Sequence, residues 1–183
     1  LKGIVGKGRV ALKGNLEQNA RRARYAFLEK TAADAEAFAV LTGHTVNDQA
    51  ETFLFNLIRG SGPVGLAAMP AVRALAEGRE TLLVRPLLRW AHRSDTEGFC
   101  REMNVEPRKD AMNDDRAFSR VRIRKEVIPL LAEMNPKVVD AIAQAAHLLG
   151  ESSTTGVAIH GEKLAVAELA TMDQAVLQMV IRD

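Results

Sequence analysis

His44 and Asp48 stand four positions apart, and the chain carries arginines at Arg21, Arg22 and Arg24 and again at Arg116, Arg120, Arg122 and Arg124. A polar pair of this kind, placed in a cleft, is a candidate for perturbed acid–base behaviour. Arginines three or four apart share a helix face, so Arg21 with Arg24, and Arg116 with Arg120 and Arg124, are spaced to converge on phosphate. Like charges at a four-residue interval repel when isolated, which favours an anion facing the stripe. The plainer readings are a helix cap at Thr45 and Asp48 and hydrated basic faces elsewhere. Spacing alone leaves both open.

The elements that must position these groups can be read around them. Phe38-Ala39-Val40-Leu41 is continuously apolar and followed by Gly43, which predicts a short buried strand. Val46, Ala50, Phe53, Leu54, Leu57 and Ile58 recur on one helical face, closed by Arg59-Gly60. Thr45 and Asp48 make a capping-box arrangement at its start. His44 is therefore expected in a strand-to-helix loop, at the carboxyl end of a strand and before a positive helix N-terminus, where α/β sheets hold ligands.

Upstream, residues 1–14 read as a ribbon flanked by turns. Asn15 with Gln18 predicts a helix start, with Leu16, Ala20, Ala23 and Phe27 along one face. Downstream, residues 65–69 form a short apolar turn, and the runs 71–76 and 81–84 predict a hairpin. Ser94 with Glu97 is expected to cap a helix to about Met103. Asp115 is expected to cap another from Arg116 to about Leu130. Asn135-Pro136 opens a further helix, a break falls at Gly150–Gly156, and two weaker helices follow. The order predicts an α/β fold: part of a doubly wound parallel sheet over residues 1–132, then a mainly helical second domain over 133–183.

The 183 residues are 47% hydrophobic and 4% aromatic, enough for one aliphatic core with a smaller appendage and too apolar for a disordered chain. No apolar run has the length of a membrane helix. One cysteine, Cys100, rules out an internal disulfide and suits a reducing, cytoplasmic setting. His92 and Cys100 lack metal-ligand spacing. A net charge of +2 is too small to argue for nucleic acid by itself.

Gly43-His44-Thr45, then Asp48-Gln49-Ala50-Glu51-Thr52, Arg59-Gly60-Ser61-Gly62 and Gly65-Leu66, resemble the signature of the bacterial tRNA(Ile)-lysidine synthetase family. These enzymes are N-type ATP pyrophosphatases with an adenine nucleotide alpha hydrolase-like fold. Asn15-Leu16-Glu17 with Ala20-Arg21 and Arg24-Tyr25, Arg85-Pro86-Leu87-Leu88, and the series from Asp110 through Asn113, Asp115, Phe118, Arg120, Arg122-Ile123-Arg124 and Ile128-Pro129 to Asn135-Pro136 extend the resemblance in order over residues 13–150. It implies ATP-dependent ligation of lysine to C2 of the wobble cytidine of tRNA(Ile) with a CAU anticodon, through an adenylated base. It implies ATP and Mg²⁺ as cofactors, with L-lysine and tRNA(Ile) as substrates. It also leaves a homodimer open. By residue, it places His44 near the activated base and Asp48 on Mg²⁺ or on lysine's ammonium. Arg21, Arg24, Arg120 and Arg124 would hold phosphate and neutralise developing charge, and Arg22, Arg59, Arg116 and Arg122 would face RNA. Glu51 is the weaker candidate, a first-turn acid on its helix.

The family's phosphate loop, Ser-Gly-Gly-x-Asp-Ser, does not occur in the sequence. Gly60-Ser61-Gly62-Pro63 is not that loop, because it follows a helix and Pro63 lacks a backbone donor. The chain is accordingly expected to be a fragment, shortened at both ends. Sulfur-transfer relatives usually carry Cys-x-x-Cys pairs, which a single cysteine disfavours. A non-catalytic RNA-binding α/β module is the alternative.

Overall fold

A computed structural model describes residues 3–6, 16–78, 80–107 and 114–154. Helix α1 (Leu16–Asp34) leads to strand β1 (Ala39–Leu41), helix α2 (Val46–Ile58) and a single turn, α3 (Pro63–Leu66). Strands β2 (Val72–Ala74) and β3 (Leu82–Val84) follow, then α4 (Arg93–Glu102) and α5 (Ser119–Arg122). A π-helical turn (Ile123–Val127), α6 (Ile128–Met134) and α7 (Val138–Thr154) complete the series.

The expected α/β arrangement is present as a small mixed sheet in the order β1-β3-β2. β1 and β3 are parallel, with Val40 opposite Leu83; β2 and β3 form the antiparallel hairpin, with Arg73 opposite Leu83. The Thr42 amide donates to the Val84 carbonyl at 2.9 Å, carrying the parallel ladder past the strand ends. The loop to α2 and the residue after β3 are thereby held side by side. Leu83 packs with Ala32 and Leu75, and Tyr25, Ala37 and Val40 close around them, so α1 lies on the sheet.

α2 is packed on by α3 and α7. Its buried Gln49 is satisfied at both ends of the amide: it donates to the Met69 carbonyl at 3.1 Å and accepts from the Met69 amide at 3.1 Å. A buried polar side chain so paired pins the helix to the segment entering β2. Arg59 caps α2, and Gly60, at φ +76°, makes the left-handed stop that the Arg59-Gly60 pair predicts.

Four boundaries differ from the sequence expectation. α4 begins at Arg93, capped by His92, whose amide donates to Asp95 Oδ2 at 2.7 Å; Ser94 and Glu97 are not the cap. The Arg93 amide donates to Asn47 Oδ1 at 2.8 Å, so a tertiary partner fixes where α4 starts. Asp115 caps only a turn, accepting from the Ala117 amide at 2.8 Å, and the helix starts at Ser119. Asn135 likewise shapes a turn, accepting from the Lys137 amide, and α7 begins at Val138. α7 runs through Gly150 to Thr154 without a break there. Gly150 packs beside Ala67 of the segment after α3, where a Cβ would make ordinary contact at 3.7 Å, and the helix continues through it.

The Asn15 cap, most of the residues 1–14 ribbon, Asp110, Asn113 and the two weaker helices beyond 156 lie outside the described residues. Cys100 is a free thiol. No helix among the described residues is long and apolar enough to cross a membrane.

Candidate functional site

The chain leaves β1 through Thr42-Gly43-His44 and enters α2 at Val46. Thr42 Oγ1 and His44 Nδ1 are 2.9 Å apart, which fixes the ring. Burial holds the His44 pKa below its ordinary value; Arg85, Arg21 and Arg120 push it the same way, against Asp48. The imidazole is therefore neutral at neutral pH and able to take a proton.

Asp48 caps α2 as expected. Its Oδ2 accepts from both the amide and the hydroxyl of Thr45, each at 2.8 Å. Capping leaves Oδ1, which Arg93 Nη2 approaches at a long 3.4 Å. One carboxylate oxygen thus does structural work while the other is lightly engaged.

Glu51 is more than a first-turn acid. It is 1% exposed, and Arg124 grips it bidentately, Nε to Oε1 at 2.7 Å and Nη2 to Oε2 at 2.9 Å. Arg93 Nη2 adds a third contact at 3.2 Å. A buried carboxylate needs this degree of pairing. The hydrogen bonds from Arg124 raise that arginine's own pKa. Glu51 therefore ties α2, α4 and the π turn together. Arg120, one turn earlier, donates to Thr52 Oγ1 at 3.3 Å and lies 5.5 Å from the centre of the Phe55 ring.

The expected stripe of Arg116, Arg120 and Arg124 does not form. Arg116 precedes the helix and meets Glu126 at 3.6 Å, whereas Arg120 and Arg124 both face α2, at Thr52 and Glu51. The anion facing Arg124 is Glu51 of the same chain. Arg122 also pairs with Glu126, at 3.2 Å. Arg59 covers Phe55 at the end of α2, and Arg22 and Arg24 are exposed on α1. Of the arginines singled out in the sequence, Arg21 and Arg120 are the two whose charge acts on His44.

Three groups at this site escape a sequence reading. Arg93 serves both Asp48 and Glu51. Arg85, directly after β3 and 2% exposed, donates to the Pro70 carbonyl at 2.7 Å. Tyr25 lies under Arg21 and Arg73, with ring-centre distances of 4.8 and 5.3 Å. A signal existed for Glu51: it shares a helix face with Leu54 and Ile58, so a buried acid with distant cations was implied. Arg85 was signalled by its place directly after an apolar strand.

Among the described residues no three His, Cys, Asp or Glu side chains gather as a metal-ligand set. Both oxygens of Glu51 are held by guanidiniums, so Asp48 Oδ1 is the acidic oxygen left for a cation. Mg²⁺ often binds through one carboxylate, waters and substrate phosphates, and the site fits it on those terms only.

The model of the PP-loop domain family matches residues 3–131. The tRNA(Ile)-lysidine synthase of Symbiobacterium thermophilum is 49% identical over 142 residues, covering 77% of this chain and 29% of that protein. The tRNA(Ile)-lysidine synthases of Salinispora tropica and of a Nostoc species are each 46% identical, over 74% of this chain and 40% and 39% of their own lengths. The chain thus spans well under half the length of these curated relatives.

Proposed function

The chain belongs to the PP-loop domain family, and from that premise we propose that it is the ATP- and tRNA-facing part of a ligase that joins lysine to the wobble cytidine of tRNA(Ile), in the cytoplasm. One observation carries the reading. A neutral, half-buried histidine, a carboxylate with one lightly used oxygen and the charges of Arg21, Arg85 and Arg120 meet where the parallel strands β1 and β3 end. The names of the relatives supply the substrate class.

The chemistry has two steps. The cytidine C2 oxygen attacks the α-phosphate of ATP and pyrophosphate leaves. Lysine's amine then attacks C2, AMP leaves, and the amine loses a proton. When Nδ1–H donates to Thr42, His44 Nε2 carries the lone pair that takes this proton. Arg21 and Arg120 offset the charge that develops on phosphate. Asp48 Oδ1 seats a cation, either lysine's ammonium or Mg²⁺. Mg²⁺, when bound, would neutralise the leaving pyrophosphate. Arg124 and Arg93 act through Glu51 as positioning residues: they hold α2, and with it His44 and Asp48, against the rest of the site. The exposed Arg22, Arg24, Arg59, Arg116 and Arg122 are assigned to the RNA-facing surface.

The test is transfer of labelled lysine to a tRNA(Ile) transcript with a CAU anticodon, dependent on ATP. It uses a polypeptide that joins this chain to a Ser-Gly-Gly-x-Asp-Ser loop. Transfer that needs both ATP and the wobble cytidine is expected; ATP-independent binding of the transcript with no lysine incorporated would overturn the reading.

A further inference from the structure

We propose that Arg21, Arg73 and Arg85, gathered around Tyr25, form an anion subsite for a phosphate group of the nucleotide or of the RNA backbone. The phosphate's source rests on the function proposed above, whereas the anion site itself rests on charge and geometry alone.

The three guanidiniums come from three elements: α1, the edge strand β2 and the residue that follows β3. Among the described residues, no carboxylate lies within ion-pair distance of any of them, although Arg93, Arg116, Arg122, Arg124 and Lys125 each have one. The guanidiniums of Arg21 and Arg73 lie 4.8 and 5.3 Å from the centre of the Tyr25 ring, within cation–π range. Arg73 commits Nη1 to the carbonyls of Ala74 and Leu75, at 2.6 and 3.1 Å, which fixes the orientation of its remaining donors.

Beneath them lies Arg85. It is 2% exposed, with a carbonyl as its hydrogen-bond acceptor and a buried Nε that has none. The Tyr25 hydroxyl is likewise buried, and the Arg85 and Arg73 guanidiniums are the polar groups beside it. A buried guanidinium beside two like charges, with no acid among the described residues to offset it, is a costly arrangement that an anion relieves. The excess charge shows at both neighbours. The Tyr25 hydroxyl titrates below its ordinary value although burial opposes the shift, with Arg21 and Arg85 responsible. His44, lowered chiefly by burial, is pushed further the same way by Arg85 and Arg21, with Arg120.

Phosphate suits this cluster better than carboxylate. Its oxygens can bridge guanidinium forks from separate directions, whereas a carboxylate engages one fork. Arg21, exposed, and Arg73, half-buried, present the reachable donors, and Arg85 supplies charge from below. Arg85 follows the carboxyl end of β3, whereas Arg73 sits opposite Leu83 in β2 and turns its head toward Ala74 and Leu75, so the cluster runs along the sheet beside α1.

The test titrates the 183-residue chain with inorganic pyrophosphate and, separately, with a CAU anticodon stem-loop RNA, following the arginine Nε–Hε NMR signals and the affinity. Arg73 has no role in the proposed chemistry and is not deeply buried, so Arg73→Gln is the principal variant. Arg85→Gln is secondary because its burial puts folding at risk. Arg21 and Arg73 signals should shift on binding, and Arg73→Gln should weaken binding about tenfold, the loss of one charge-assisted hydrogen bond, with an unchanged Tm. A weakening confined to pyrophosphate assigns the site to the nucleotide; one confined to the stem-loop assigns it to the RNA backbone. Equal affinity of wild type and Arg73→Gln for both probes overturns the subsite, and does so whatever the lysine-transfer assay shows.

Discussion

Two arginine clusters flank His44, and they differ in what neutralises them. Around Glu51, two guanidiniums from α4 and the π turn close on one buried carboxylate. Around Tyr25, three guanidiniums meet an uncharged ring and backbone carbonyls. In sequence the arginines look alike. The first cluster is complete without a ligand and serves as scaffold; the second has no carboxylate partner among the described residues, which is the basis of the anion subsite proposed above. An arginine's partner, rather than its spacing, separates structural from binding roles.

The largest expected effect breaks the complete cluster. Glu51→Ala would leave Arg124 and Arg93 facing a desolvated gap and should cost about 3 kcal/mol, reduced from the fully buried case because both arginines are partly exposed. Urea unfolding measures this, and a loss below about 1 kcal/mol would remove Glu51 as the hub. The next effect is on chemistry: His44→Ala should lower lysine transfer about 10²-fold, as expected for loss of a general base, with little change in Tm. Wild-type turnover would remove His44 from the mechanism. Asp48→Asn separates the two cation assignments, because a raised KM for lysine supports the ammonium and a raised Mg²⁺ requirement supports the metal.

A smaller effect is on pH dependence. The folded-state pKa of His44 is depressed, so the unfolded chain binds more protons once pH falls below about 6.5. The stability that His44 contributes is complete above that value and declines as pH drops toward the folded pKa. His44→Gln should flatten this part of the stability profile between pH 7 and pH 5, and an unchanged profile would contradict the half-buried neutral ring. The smallest effect belongs to the surface: Arg122→Ala removes an exposed pair with Glu126 and should change stability by no more than about 0.5 kcal/mol. A larger loss in thermal unfolding would mean that Arg122 is part of the scaffold.

Reading this chain by local rules succeeds where neighbours in sequence decide the outcome. The Thr45–Asp48 box, helix α2, its stop at Gly60 and the β2–β3 hairpin all follow from period, capping and turn chemistry, and so does the existence of β1, but not its expected burial: Phe38 and Leu41 are exposed because among the described residues no layer covers them. It fails where a distant partner decides. Ser94 and Glu97 make an acceptable local cap, but Asn47 takes the Arg93 amide and starts α4 earlier. Asp115 is an acceptable helix start, but it closes only a turn, and Arg124, further on, is taken by Glu51 of α2. Gly150 reads as a breaker, yet α7 continues through it, packed beside Ala67.

The sequence by itself determined that a strand-to-helix loop would carry His44 and that Asp48 would cap the helix behind it, since those arrangements involve groups within a few residues of each other. Only the tertiary structure decided which arginines are consumed and which remain. Arg124 and Glu51 are 73 positions apart, and a helical period states which face a residue occupies without stating what will cover it. Pairing a buried charge requires one particular partner at hydrogen-bond distance, and packing alone brings that partner there.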